Sequence, residues 1–95
     1  MIDKEMNMTA FDFGNGPVPA HQHLNGGGWV ADTATVAETA YVGPDARVYG
    51  NARVSGNVWV YDDAKVFDNA EVSENAWVSC NALISGDARI YGKDD

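Results

Sequence analysis

The stretch "ARVYGNARVSGNVWVYDDAKVFDNA", residues 46–70, puts an aliphatic side chain at every sixth position, Val48, Val54, Val60 and Val66, and is mostly polar or aromatic between. Counted outward, the register runs without a slip from Val30 through Val36, Val42, Val72 and Val78 to Ile84 and Ile90. Two residues before each stands Ala, apart from Val58 and, at the first unit, Gly28. A spacing of six cannot keep to one face of an α-helix, which turns once in about 3.6 residues, but it contains the two-residue period of a strand. The Ala and the aliphatic residue of each unit therefore share one side of a short strand, and the residues flanking the aliphatic one point to the other. The two positions after each strand are turn-forming, as in Asp32-Thr33, Pro44-Asp45, Gly50-Asn51, Asp62-Asp63 and Gly86-Asp87. Asn, Asp and Gly tolerate left-handed backbone angles, so the chain bends every six residues. Units this short leave no room for hairpins, and the chain coils instead.

Over residues 28–93 this pattern resembles the hexapeptide-repeat superfamily. The resemblance implies an all-β fold, a left-handed parallel β-helix with three flat sides, here of just under four coils. The left hand rests on the resemblance alone, because general crossover chirality argues the opposite. The chain departs from the family after the aliphatic positions, where Tyr49, Tyr61, Phe67 and Tyr91 stand. They read as outward-facing aromatics. The expected division is an irregular N-terminal cap or arm over residues 1–27 and a solenoid over residues 28–95. In the arm, Met6, Met8, Phe11 and Phe13 suggest an apolar plug over the first coil, and Pro17 and Pro19 argue against regular pairing. Coil ends expose unpaired backbone groups; "GKDD" at 92–95 supplies charge at one end and residues 1–27 the natural cover at the other.

Size and charge bound the function. A 95-residue chain makes one domain with a modest core, so a repeat stack, an oligomer, or both must supplement it. No window is apolar enough for a membrane span, and "MIDKEMNMTAFDF" has no basic start or apolar run of a secretion signal, so the cytoplasm of a bacterial host is expected. The single Cys80 excludes an internal disulfide framework. Fourteen acidic against six basic residues give a formal charge of −8, which disfavours direct nucleic-acid binding; it reads first as a charge that keeps the protein soluble, and it also suits a basic partner or a protein that imitates nucleic acid.

Columns eighteen residues apart assign the outward residues to three walls. The first carries Trp29, Arg47, Lys65 and Leu83 beside Ala31, Tyr49, Phe67 and Ser85; the second carries Thr35, Arg53, Glu71 and Arg89 and reads as solvated. The third carries Tyr41, Trp59 and Trp77 in one column with Tyr61 alongside, an aromatic ladder. Such a patch is larger than a lone soluble domain normally exposes, so it is expected to be covered. The candidates are a homo-oligomer interface, with a cyclic trimer favoured, and a foreign protein partner, since Trp, Tyr and Arg dominate binding hot spots.

Catalytic and cofactor readings are weaker. The superfamily resemblance brings acyltransferases that use a His base and γ-class carbonic anhydrases that need three His ligands for zinc. Here the only His residues are His21 and His23, in "HQH" before the repeats. They read as polar residues of a cap or loop, and no metal or cofactor is expected. "NGGG", residues 25–28, lacks the Lys-Ser/Thr of a phosphate loop and reads as a flexible hinge into the first coil. Cys80 reads as an incidental exposed thiol. The stretch "GPVPAHQHLNGGGWVADTATV" with "ARVYGNARVSGN" is also similar to small β-helical proteins of enterobacterial phages and prophages, often labelled transferases on fold alone. Fold analogy supplies no activity. The expectation is a non-catalytic interaction module, a phage accessory protein that oligomerises and binds or inhibits a host nucleic-acid-handling or defence complex. The alternatives are a structural virion or assembly component and a reduced acyltransferase.

Overall fold

A computed structural model describes residues 9–14 and 16–91. Met6, Met8 and the "GKDD" segment lie outside the described residues. The strands are β1 (Ala10–Asp12), β2 (Pro17–Gln22), β3 (Trp29–Ala31), β4 (Thr35–Val36), β5 (Tyr41–Val42), β6 (Arg47–Val48), β7 (Arg53–Val54), β8 (Trp59–Val60), β9 (Lys65–Val66), β10 (Glu71–Ser73), β11 (Trp77–Val78), β12 (Leu83–Ile84) and β13 (Arg89–Tyr91). From β3 onward, every third strand stacks in parallel: β3-β6-β9-β12 form the first wall, β4-β7-β10-β13 the second and β5-β8-β11 the third. No helix among the described residues is long and apolar enough to cross a membrane.

The sixfold spacing produces this architecture directly. Each coil meets the next eighteen residues on, so Trp29 pairs with Arg47, Tyr41 with Trp59, and Val48 with Val66. Backbone donors bond one coil ahead, for example Arg47 N–H to the Ala64 carbonyl at 3.1 Å and Tyr49 N–H to Val66 at 2.9 Å. The aliphatic residue of each middle unit points inward: Val42, Val48, Val54, Val60, Val66 and Val72 are 0–1% exposed. Burial of each such side chain contributes about 1.5–3 kcal/mol before chain entropy is set against it. The Ala two positions earlier tucks in beside each corner, and Ala40, Ala46, Ala52, Ala64 and Ala70 are fully buried. The ends are less closed: Val36 at one and Ala82, Ile84 and Ile90 at the other are only partly buried.

The corners follow the same count. Gly50, Gly56, Asp62, Asp68, Glu74, Cys80 and Gly86, six residues apart, all take φ between 59° and 75°. Asp62 and Asp68 compensate for the strain of a left-handed non-glycine residue, since their carboxylates accept the N–H of Cys80 (3.3 Å) and Gly86 (3.1 Å) in the next coil. The first coil turns differently, with Pro44 holding φ negative and the hydroxyls of Thr33 and Thr39 donating to the carbonyls of Gly50 and Gly56. Glu74 also sits in the left-handed region, with no side-chain hydrogen bond among the described residues. An L-residue there costs about 1–2 kcal/mol, and Asn relieves part of it by local bonding. Glu74→Asn should therefore raise stability by about 0.5–1 kcal/mol in urea unfolding, and Glu74→Val should lower it.

The N-terminal segment is more regular than the sequence suggests. β1 and β2 form an antiparallel hairpin, and β2 adds antiparallel to β3, extending the first wall by two strands. Pro17 and Pro19 fit because of strand parity. Even-numbered residues of β2 face β1, where Ala20 N–H bonds the Thr9 carbonyl at 2.9 Å. Odd-numbered ones face β3, where Pro19 supplies its carbonyl to Asp32 N–H at 2.9 Å as the last pair of the ladder, and Pro17 lies beyond it. The missing donors thus fall where little is lost. Residues 25–28 are not a loose hinge. Val42 N–H bonds the Asn25 carbonyl (3.0 Å) and Gly28 N–H bonds that of Val42 (2.9 Å), and a Cβ on Gly28 would come within 2.3 Å of the Gly43 carbonyl oxygen. This close approach, rather than flexibility, requires glycine there.

Candidate functional site: an aromatic ladder on the third wall

Two aromatic arrays stand on the outside of the prism. On the first wall the rings form a stack capped by the hairpin: Phe11 lies on Trp29 at 4.8 Å, Phe13 on Tyr49 at 4.7 Å, and Tyr49 on Phe67 at 4.9 Å. Phe11 also receives the Arg47 guanidinium, 4.9 Å above its ring. Phe11 and Phe13 thus cover the outer wall rather than plug the open coil end. Burial, and then the nearby Asp68 carboxylate, raises the Tyr49 hydroxyl above the usual phenol value, with Arg47 opposing. Of the sequence-predicted surface residues here, Trp29, Arg47, Tyr49 and Phe67 are partly buried, whereas Lys65 and Leu83 remain exposed. The sequence signal for the cover was the Phe11/Phe13 alternation, but its target was not evident.

On the third wall nothing comparable intervenes among the described residues. Tyr41 stacks on Trp59 at 4.7 Å and Trp59 on Trp77 at 5.9 Å, while Tyr61 stands edge-on to both tryptophans at 6.4 and 6.2 Å. Strand pairing dictates this, because Tyr41, Trp59 and Trp77 are register partners in β5, β8 and β11 and all face outward, opposite Val42, Val60 and Val78. Exposure rises along the column to 45% at Trp59 and 67% at Trp77. Beside it runs a shallow groove lined by Gly43, Pro44, Asp45, Tyr61 and Asp62. The ladder is therefore a preassembled flat surface, each ring held by its neighbour; such pairs contribute about 0.5–1.5 kcal/mol each.

The second wall is solvated, as expected, with Glu71 bridging Arg53 (3.9 Å) and Arg89 (3.8 Å). The histidines part company. His21 Nδ1 and Asp32 lie 2.7 Å apart, both half-exposed, whereas His23 is buried with Nε2 donating to the Ala40 carbonyl at 2.8 Å. His23 thereby helps to cap the first strand of the ladder wall, a role that no motif announced. Among the described residues, no three His, Cys, Asp or Glu side chains converge as a metal site would need. Cys80 is exposed at its corner, its Sγ 3.8 Å from the Ser79 hydroxyl.

Against known protein families, residues 46–62 match the model described as YdcK Beta solenoid repeat. The match covers β6, β7 and β8, one strand from each wall. The chain is a β-solenoid repeat protein. No curated protein and no solved structure matches this solenoid.

Proposed function

We propose that this solenoid is a non-catalytic protein-interaction module of the left-handed hexapeptide-repeat kind, working in the bacterial cytoplasm through its aromatic ladder. The observation that carries the reading is the column Tyr41, Trp59 and Trp77, outward-facing and increasingly exposed on a flat, rigid wall. Rigid aromatics at low entropic cost make binding hot spots, and a patch of this size favours cover by a partner. The phage-accessory reading, with a host nucleic-acid-handling or defence complex as target, draws on the acidic charge of −8. The non-catalytic reading draws on His23, which is buried with its Nε2 committed to the Ala40 carbonyl.

Homo-oligomerisation remains part of the proposal, though a trimer using the first wall has less free aromatic surface than the sequence columns implied. A second reading, assembly through coil ends, draws on Ala82, Ile84 and Ile90, which are only partly buried in the last described coil. Light scattering across a concentration series should give a defined oligomer, or a monomer that captures a host partner. Trp59→Ala with Trp77→Ala should abolish whichever is observed while leaving the β circular dichroism intact. A double variant that retained both oligomer and partner would refute the ladder's role, and growth into filaments would favour the coil ends.

A further inference from the structure

The distribution of charge around the ladder narrows the partner's chemistry. All four described cations stand on the other two walls: Arg47 and Lys65 on the first, Arg53 and Arg89 on the second. The third-wall segments, residues 40–45, 58–63 and 76–81, contain no Lys or Arg. Both corners that border this wall are acidic, with Glu38 and Glu74 on one side and Asp45, Asp62 and Asp63 on the other. None of these five carboxylates is in an ion pair among the described residues, although Asp45 and Asp63 also line a cleft with Arg47 and Lys65 of the first wall, whereas Glu71 on the second wall meets two arginines. The two arrays differ in the same sense. Phe11 on the first wall has a guanidinium over its ring, and the ladder rings, with their negative π-faces, have none.

We infer that the ladder and its acidic borders form a docking site for an arginine-bearing basic segment of a partner protein. This rests on the interaction-module reading and specifies its ligand. A guanidinium is planar, weakly hydrated and able to stack on a ring while donating to a carboxylate, which a lysine ammonium cannot do as well. Trp77, the last described ring of the column and 67% exposed, offers the stacking surface, and Asp45 and Asp62 line the groove beside it. Asp62 also accepts Cys80 N–H through one oxygen, which fixes its carboxylate. A second copy of the chain is a poor supplier of the cation. It is itself strongly acidic, Arg53 and Arg89 share a single carboxylate, Glu71, at 3.9 and 3.8 Å, and Arg47 lies over Phe11 and donates to the Asp45 carbonyl at 2.8 Å, so the like charge of two copies is the main obstacle.

The test is titration of the full chain with an acetylated, amidated Arg hexapeptide and its Lys counterpart, read by the indole N–H signals of the three tryptophans. The Arg peptide should shift Trp59 and Trp77 but not Trp29, and bind at least about threefold more tightly than the Lys peptide. Trp77→Ala should weaken Arg-peptide binding about five- to tenfold, and Asp62→Asn, which keeps the corner's acceptor oxygen, should weaken it and reduce its salt dependence. Equal binding of both peptides with no effect of Trp77→Ala would mean charge attraction alone and overturn the inference, as would no binding at all. If light scattering then showed an oligomer held by Trp59 and Trp77, self-association would own the wall: the inference would fall while the interaction-module reading stood.

Discussion

Val60→Asp should leave the chain unfolded, while Trp59→Ala, one residue away in the same strand, should leave it folded. Val60 is completely buried between Val42 and Val78, its register partners in the coils on either side. A carboxylate there has no cation to meet, since every described Arg and Lys projects outward. Protonation does not rescue it, because an unpartnered polar group in that interior still costs about 2–7 kcal/mol, and the lost Val contacts add about 2 kcal/mol more. A domain of this size has about 5–15 kcal/mol in total. Far-UV circular dichroism should show the β signal lost, together with the near-ultraviolet signal of the stacked rings. Val60→Ala, which only removes two buried methyl groups, should cost about 2 kcal/mol and keep the fold. A folded Val60→Asp chain would mean that the interior is open to water and that the alternation of inside and outside is not what holds the ladder in place.

That alternation is also why so much of the molecule was legible in the sequence. A six-residue count places Val60 inside, Trp59 and Tyr61 outside, and Asp62 at the corner, and the same count stacks Tyr41 on Trp59 and Trp59 on Trp77. Each statement follows from parity, which a repeat without slips preserves from coil to coil. What escaped reading lies where the count has no hold. Whether Pro17 and Pro19 can sit in a strand depends on which edge their missing N–H groups face, and that parity is set by the register with β3, not by local sequence. Phe11 and Phe13 were visible as an alternating pair, but their choice of Trp29 and Tyr49 as partners depends on how the hairpin folds over the wall. The left-handed corners show the same division. The same count puts Glu74 and Cys80 at corners with Gly50 and Asp62, and all four take a positive φ; residue type alone would not have assigned that conformation to Glu or Cys.

The corners supply the second large effect. Gly50→Val should destabilise the chain by about 3–4 kcal/mol, and Gly86→Val by only about 1–2 kcal/mol, although both positions have φ near 65° and stand in one column. The backbone penalty for a β-branched residue in the left-handed region is common to both, about 1–2 kcal/mol. What differs is the neighbour. A Cβ on Gly50 would lie 2.8 Å from the Asp68 backbone nitrogen, inside the stack, whereas one on Gly86 meets nothing within 4 Å because no described coil follows it. Relieving the first contact means prising apart two coils whose Asn51 N–H bonds the Asp68 carbonyl at 2.8 Å, and that displacement carries along the whole rung. Asp62, standing one coil before Cys80, shows that a single Cβ can be fitted into such a column when the corner adjusts, so Gly50→Ala should fall between the two. Urea unfolding of the three variants would separate strain from stacking. Equal losses at Gly50 and Gly86 would mean that the φ requirement alone keeps glycine at these corners and that the coils are free to part.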